Sequence, residues 1–272
     1  MRLLTFTHRQ QRQLGILDED GRINVASWPN ALEDVLERGT LPSRSAQYLD
    51  PAEVRWEAPL RPRKIIAIGQ NYVEHIRELG SELPEKPVIF AKFPSGVVGH
   101  GEEVCWEAAL TQKVDWEVEL AVVIGARCHH IREEDALECV FGYTVANDLT
   151  ARDIQRSEGQ WIRGKNLAGF CPLGPVVVTR DEIPDPHALR LSTQVNGETM
   201  QAGHSGEMYF RIPHLIAYCA RMFTLEPGDV ILTGTPSGVG MGMKPPRFLG
   251  DGDVVRVAIE GIGTLETRCR VQ

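Results

Sequence analysis

Asp115-Trp116-Glu117-Val118-Glu119 opens the stretch whose reading decides the fold; Leu120-Ala121-Val122-Val123-Ile124 continues it and Gly125 ends it. β-Branched residues and the closing glycine predict a strand. Side chains two apart on a strand share a face, so Glu117 and Glu119 point one way and Val118 the other. Two ionised carboxylates held side by side repel, and one pKa rises unless a cation sits between them. A hard divalent cation, Mg²⁺ or Mn²⁺, suits oxygen ligands and keeps positions open for substrate and water. A second apolar segment, Gly142 to Asn147, leads to Asp148, which offers a third oxygen just before an expected helix start at Leu149-Thr150-Ala151-Arg152-Asp153. Spacing alone also fits plainer readings. A Glu-x-Glu pair is most often the solvated face of an amphipathic strand, and a lone aspartate before a helix is most often its N-cap.

Working outward, the 272 residues suffice for a large core in one or two domains. A net charge of -8 argues against a basic stripe, so neither nucleic acid nor an anionic membrane is an expected partner. No apolar run reaches the roughly 18 residues of a membrane span, and Met1 to Arg9 lacks a signal-peptide core. Six scattered cysteines without a Cys-x-x-Cys fit reduced thiols in a cytoplasm better than a disulfide framework or a zinc site.

Residues 1–60 predict a small N-terminal domain, and 61–272 a larger one. In the first, Leu14-Gly15-Ile16-Leu17, the turn Asp18 to Gly21 and Ile23-Asn24-Val25 make a hairpin. A helix from Ala31 to Glu37 follows, ended by Gly39. No chemistry is visible there; packing or dimer support is the default role.

The larger unit begins with a buried strand, Lys64 to Gly69. Asn71 and Glu74 then stand at capping-box spacing ahead of a helix that Gly80 stops. His75 and Glu78, three apart, share a helix face. A carboxylate beside an imidazole fixes its tautomer and raises its basicity, as a general base for water requires; a surface contact of little weight is the plainer reading. Lys92, after the strand from Pro87, reads as an anion contact or a solvated charge, and sequence alone favours the second. Gly159 to Val178 reads as a loop ending in a strand, with Arg163 and Lys165 its charged candidates. Beyond Leu189 the chain reads as β-rich, with an Asn196-Gly197 hairpin turn, a helix from Ile212 with Pro213 in its first turn, and closing strands from Asp253 and Gly263. Gly234-Thr235-Pro236-Ser237-Gly238-Val239-Gly240 lacks the ending of a nucleotide-binding P-loop. Its amides and the Thr235 hydroxyl suit a small carboxylate; a plain hairpin turn fits equally.

Five ordered motifs together resemble the fumarylacetoacetate hydrolase family over residues 64–272: Ile68 to His75, Asp115 to Leu120, Asn147 to Gln155, Cys171 to Pro175, and Leu232 to Gly240. The resemblance implies an α+β, β-rich chain whose catalytic unit is a mixed β-roll, paired as a homodimer. It implies Mg²⁺ or Mn²⁺ at Glu117, Glu119 and Asp148, and a water-activating dyad of His75 and Glu78 on a lid segment. It places substrate-binding or oxyanion-stabilising groups at Arg152, Gln155, Lys165 and Thr235. Two departures touch the substrate end: Lys92-Phe93-Pro94-Ser95 stands where members carry Lys-Pro-Pro-Ser, and Ala168-Gly169 where many have Asp-Thr.

The resemblance implies action on a small 2-oxo or 1,3-dicarbonyl acid. The leading expectation is hydrolytic C–C cleavage of an acylpyruvate-like or fumarylacetoacetate-like acid, with a metal-stabilised enolate. In it His75, oriented by Glu78, activates water, and Lys165 or Gln155 meets the oxyanion. The alternative is a lyase or isomerase using the same enolate, such as oxaloacetate decarboxylation or hydration or isomerisation of an unsaturated 2-oxo diacid. A non-catalytic binding protein on this fold would need a broken constellation, and every member is present.

Overall fold

The computed structural model describes residues 1–157 and 159–272. Its organising strand, Val118–Ile124, is buried along its whole length, because both of its faces are covered. Val118, Leu120, Val122 and Ile124 enter one hydrophobic core, and Ala121 and Val123 enter another. A strand covered on both sides shows no polar alternation, which is why this run is apolar throughout once past the two glutamates.

That strand lies in a twelve-stranded mixed sheet. Its neighbours are Val140–Asn147 and Val230–Leu232, both antiparallel to it. Beyond Val230–Leu232 come Ile65–Gly69, paired parallel, and Val88–Lys92. Beyond Val140–Asn147 come Cys171–Thr179 and then the first strand of the chain, Arg2–His8. A second sheet of five strands, Glu198–His204, Arg190–Val195, Val254–Ile259, Gly263–Val271 and Glu103–Trp106, contributes Leu191, Val257 and Leu265 to the core that holds Leu120 and Val122. Among the described residues five short α-helices complete the fold: α1 (Leu32–Arg38), α2 (Val73–Glu78), α3 (Arg152–Ser157), α4 (Ile162–Lys165) and α5 (Ile212–Ala220). The architecture is α+β and β-rich, as expected.

The strands of residues 1–60 continue the large sheet, through Arg2–His8 against Cys171–Thr179. The N-terminal hairpin forms as read, with Gly15 opposite Val25, and α1 ends at Gly39 in the left-handed region. Leu32, Val35 and Leu36 of α1 cover Ala121, Val123 and Leu173, which is the packing role expected of this segment. The Asn196-Gly197 turn also forms as read, both residues having positive φ.

Local spacing misled at four places. Asn71 does not cap α2: the helix starts after Tyr72, without a side-chain cap. Instead the buried Asn71 amide donates to Thr233 O at 2.8 Å and Phe210 O at 3.1 Å, and accepts from the Phe210 N–H at 2.8 Å. Asp148 does not open a helix either, since a short strand, Thr150–Ala151, intervenes before α3. Lys92 is buried rather than solvated. The stretch expected as loop after Gly159 contains α4. All six cysteines are free, as expected, and among the described residues no helix is long and apolar enough to cross a membrane.

Candidate active site

Sheet register assembles the acidic cluster. Val118 pairs with Asn147 on one side, so Glu117 and Asp148 are the next opposed pair; the Asp148 N–H donates to Glu117 O at 2.9 Å. Opposed side chains on an antiparallel pair lie on one face, and Glu119 lies two residues along on that face. On the other side Ala121 pairs with Leu232, which carries Gly234 to Glu119; its N–H donates to Glu119 Oε2 at 2.7 Å. Gly234 has a φ of +93°, and a Cβ there would come within 2.8 Å of Asn71 Cβ, so the close approach needs glycine. The outcome is three carboxylates, none more than 4% exposed, whose ligand atoms all lie within 4.8 Å of one another. The solvated-face and helix-cap readings therefore fail for these three residues.

Buried charge of this kind must be paired. Lys165, at the end of α4, places Nζ 2.7 Å from Glu117 Oε2 and 2.7 Å from Asp148 Oδ2. Lys92 donates to Asp148 Oδ1 and, at 2.7 Å, to Phe170 O. Arg152 donates from Nη2 to Glu117 Oε1 at 2.6 Å, from Nε to Asp115 Oδ2 at 2.8 Å and from Nη1 to Gln155 Oε1 at 3.1 Å. Asp115 also accepts from the backbone N–H groups of Gly240 and Met241, tying Arg152 to the glycine-rich loop. Burial alone would raise the Glu117 pKa, yet Lys165 and Arg152 hold it at about 2. Burial likewise opposes the charge of Lys165, and the carboxylates of Asp148 and Glu117 outweigh it, raising the pKa.

Glu119 is the exception. Among the described residues no ion pair reaches it, and burial, reinforced by the charges of Asp148 and Glu117, pushes its pKa well above the ordinary value. Four buried carboxylates (Asp115, Glu117, Glu119 and Asp148) face three buried cations (Lys92, Arg152 and Lys165). The surplus negative charge sits on an all-oxygen donor set, which suits a hard divalent cation.

His75, on α2, stands beside this cluster. Its Nδ1 lies 3.1 Å from Glu78 Oε2, leaving Nε2 as the other ring nitrogen. Glu78 Oε1 accepts from the Gly238 N–H at 2.9 Å, so the same carboxylate orients the imidazole and fastens α2 to the glycine-rich loop. The helix ends in a Schellman motif: Gly80 N–H donates to Arg77 O and Ser81 N–H to Ile76 O.

A cavity of about 290 Å³ opens between these parts. Seven of the nine residues singled out by the sequence line it: His75, Glu117, Glu119, Arg152, Gln155, Lys165 and Thr235. Glu78 and Asp148 stand behind the wall, touching His75 and Lys165. Thr235 does not face the cavity unsupported, because Gln201 Nε2 donates to its hydroxyl at 2.8 Å. Trp161 forms part of the wall against Phe90, their ring centroids 5.5 Å apart. It lies where a Cβ on Gly69 would come within 2.4 Å of its ring. Sequence reasoning missed Asp115, Gln201 and Trp161 as parts of the site, and for Lys92 it favoured solvent over the anion contact that the pairing with Asp148 shows. Only Asp115 carried a local signal, being two residues from Glu117 and thus on its face.

Comparisons with known proteins place the chain in a family. A family model described as fumarylacetoacetate (FAA) hydrolase C-terminal matches residues 64–270. The mitochondrial oxaloacetate tautomerase FAHD2A of Homo sapiens is 48% identical over 220 residues, covering 80% of this chain and 70% of that one. The oxaloacetate tautomerase YisK of Bacillus subtilis is 48% identical over 221 residues, covering 80% and 73%. Among solved structures, a fumarylacetoacetate hydrolase from Exiguobacterium antarcticum superposes with a TM-score of 0.92 at 40% identity, covering 100% of both chains. A 5-carboxymethyl-2-hydroxymuconate delta-isomerase from Mycobacterium smegmatis does so with a TM-score of 0.86 at 35% identity, again covering 100% of both.

Proposed function

We propose, from the premise that this chain belongs to the fumarylacetoacetate hydrolase family, that it is a divalent-metal-dependent isomerase interconverting the enol and keto forms of a 2-oxo dicarboxylate such as oxaloacetate. The observation that carries the reading is the pair of oxaloacetate tautomerases, each 48% identical to this chain over about four-fifths of its length. This reverses the order of the two expectations drawn from sequence, with isomerisation ahead of hydrolytic C–C cleavage. Tautomerisation is a further reaction of the isomerase class, beyond the hydration and isomerisation of unsaturated 2-oxo diacids expected from sequence.

The chain's own residues suit the chemistry. Ketonisation takes a proton from the enol oxygen and delivers one to the neighbouring carbon. His75 is the proton carrier in this proposal: Glu78 accepts from Nδ1–H, which leaves the Nε2 lone pair to take a proton and return it. Glu117, Glu119 and Asp148 would hold Mg²⁺ or Mn²⁺, which when bound polarises the 2-oxo group and its neighbouring carboxylate. Lys165 meets charge developing on a substrate oxygen, while Arg152, Gln155 and Thr235 orient the acid. Burial of the cluster strengthens these electrostatic interactions over their value in water. A homodimer, as in the family resemblance, belongs to the same proposal.

The test follows enol-oxaloacetate by loss of its ultraviolet absorbance. The expected result is faster ketonisation than in buffer, loss of that acceleration with EDTA, and recovery with Mg²⁺ or Mn²⁺. The second reading, hydrolysis, draws on the close fold match to a fumarylacetoacetate hydrolase and on a dyad able to activate water. Cleavage of an acylpyruvate without any acceleration of ketonisation would overturn the lead in its favour.

A further inference from the structure

We infer that Arg156 is a specificity-determining residue that holds the distal carboxylate of a dicarboxylate substrate. This rests on the reading of the cavity as a 2-oxo acid site. Arg152, Gln155 and Arg156 occupy positions i, i+3 and i+4 of α3, so they share one face of that helix. All three line the cavity. Of the arginine and lysine side chains on its wall, Arg152 is bound to Asp115 and Glu117, and Lys165 to Glu117 and Asp148. Arg156 is exposed and forms no ion pair among the described residues. It also borders an adjoining cavity of about 480 Å³ lined by Lys113 and Arg152 together with Asp153.

Charge balance gives this placement its meaning. The buried set carries four carboxylates against three cations. A divalent cation in the acidic cluster would bring the set to a single positive charge, enough to balance one carboxylate of the substrate. A second carboxylate needs a further cation, and Arg156 is the lining cation without an ion pair among the described residues. A guanidinium presents a planar fork that takes a carboxylate through two parallel hydrogen bonds. A monocarboxylate with an uncharged tail would gain nothing from it.

The test uses the metal-loaded full chain and two readouts. In the first, Arg156→Gln should raise the KM for enol-oxaloacetate by about tenfold or more while kcat changes little, and Arg156→Lys should recover part of the loss. In the second, calorimetry compares malate with lactate, which share a 2-hydroxy acid end and differ in the distal carboxylate. The wild type should prefer malate, and Arg156→Gln should erase that preference without weakening lactate. Equal binding of malate by wild type and Arg156→Gln overturns the inference, and so does equal binding of malate and lactate by the wild type. Should malate preference depend on Arg156 while oxaloacetate is never ketonised, the proposed reaction falls and the role of Arg156 stands.

Discussion

The acidic cluster and the His75–Glu78 pair face the same cavity but are built in opposite ways. The cluster is a product of long-range register: Glu117 and Glu119 on one strand, Asp148 from its neighbour on one side and Gly234 from its neighbour on the other. No local change can reposition it without moving the sheet. The dyad is the product of one helical segment, Val73–Glu78, whose two members are three residues apart. What places it over the cavity is the helix cap at Gly80 and the bond from Gly238 to Glu78. The first arrangement is fixed by pairings among several strands, the second by the bonds of one helix and its cap. On the proposed reading the cation site belongs to the sheet, and the proton carrier to one short helix beside it.

The largest expected effect comes from breaking the cluster. Asp148→Ala leaves Lys92 and Lys165 with a lost partner in a buried site. Removing one member of a buried pair destabilises by about 3–5 kcal/mol, roughly 10 °C in melting temperature for a chain of this size. Calorimetry should show that drop together with loss of Mn²⁺ binding. Adding Lys92→Met should recover part of the stability and none of the metal binding, since an apolar side chain of similar volume removes the orphaned charge. A variant as stable as the wild type would mean that Asp148 does not anchor the two lysines.

A smaller effect on the molecule, though a large one on turnover, is expected at the dyad. His75→Ala should lower kcat by about 10²–10⁴ while leaving Mn²⁺ affinity within a factor of about two, because His75 donates to no member of the cluster. Steady-state kinetics and metal titration on one preparation check both halves. Parallel loss of metal affinity would erase the distinction between the cluster and the dyad.

This same contrast governs what could be read from the chain alone. Period-two spacing placed Glu117 and Glu119 on one face, and helix spacing brought His75 to Glu78; both relations are local and both hold. The register that joins Asp148 and Gly234 to them is a property of strands far apart in sequence, so position in the chain offered Asp148 as a third oxygen without excluding a helix cap, and the family motifs were needed to favour the first. Lys92 was misread because a lone lysine at a strand end carries no sign that Asp148, Leu149 and Phe170 will surround it. Asn71 was misread for the reverse reason: its capping-box spacing was a real local signal, and tertiary bonds to Phe210 and Thr233 overrode it. Helix α4 escaped notice because it is one turn long and contains Gly164. That glycine is required by packing, since a Cβ there would come within 2.7 Å of Gln155 N.

The mildest perturbation tests the latch itself. A Cβ on Gly242 would lie 2.4 Å from Glu78 Cδ and 2.6 Å from its Oε1. The atoms in the way are the end of a flexible, half-buried side chain, so Gly242→Ala should leave the melting temperature nearly unchanged. The carboxylate must nevertheless swing aside, and it then gives up its bond to the Gly238 N–H or to His75 Nδ1. With its tautomer no longer fixed, His75 is a poorer proton carrier, and kcat should fall by about tenfold. Metal affinity should not change, because none of the cluster's hydrogen bonds passes through Glu78. A fall in Mn²⁺ affinity matching the fall in kcat would mean that the loop from Gly234 to Gly242 couples the two regions through Gly234 and Glu119, and the dyad would then not be independent of the cluster.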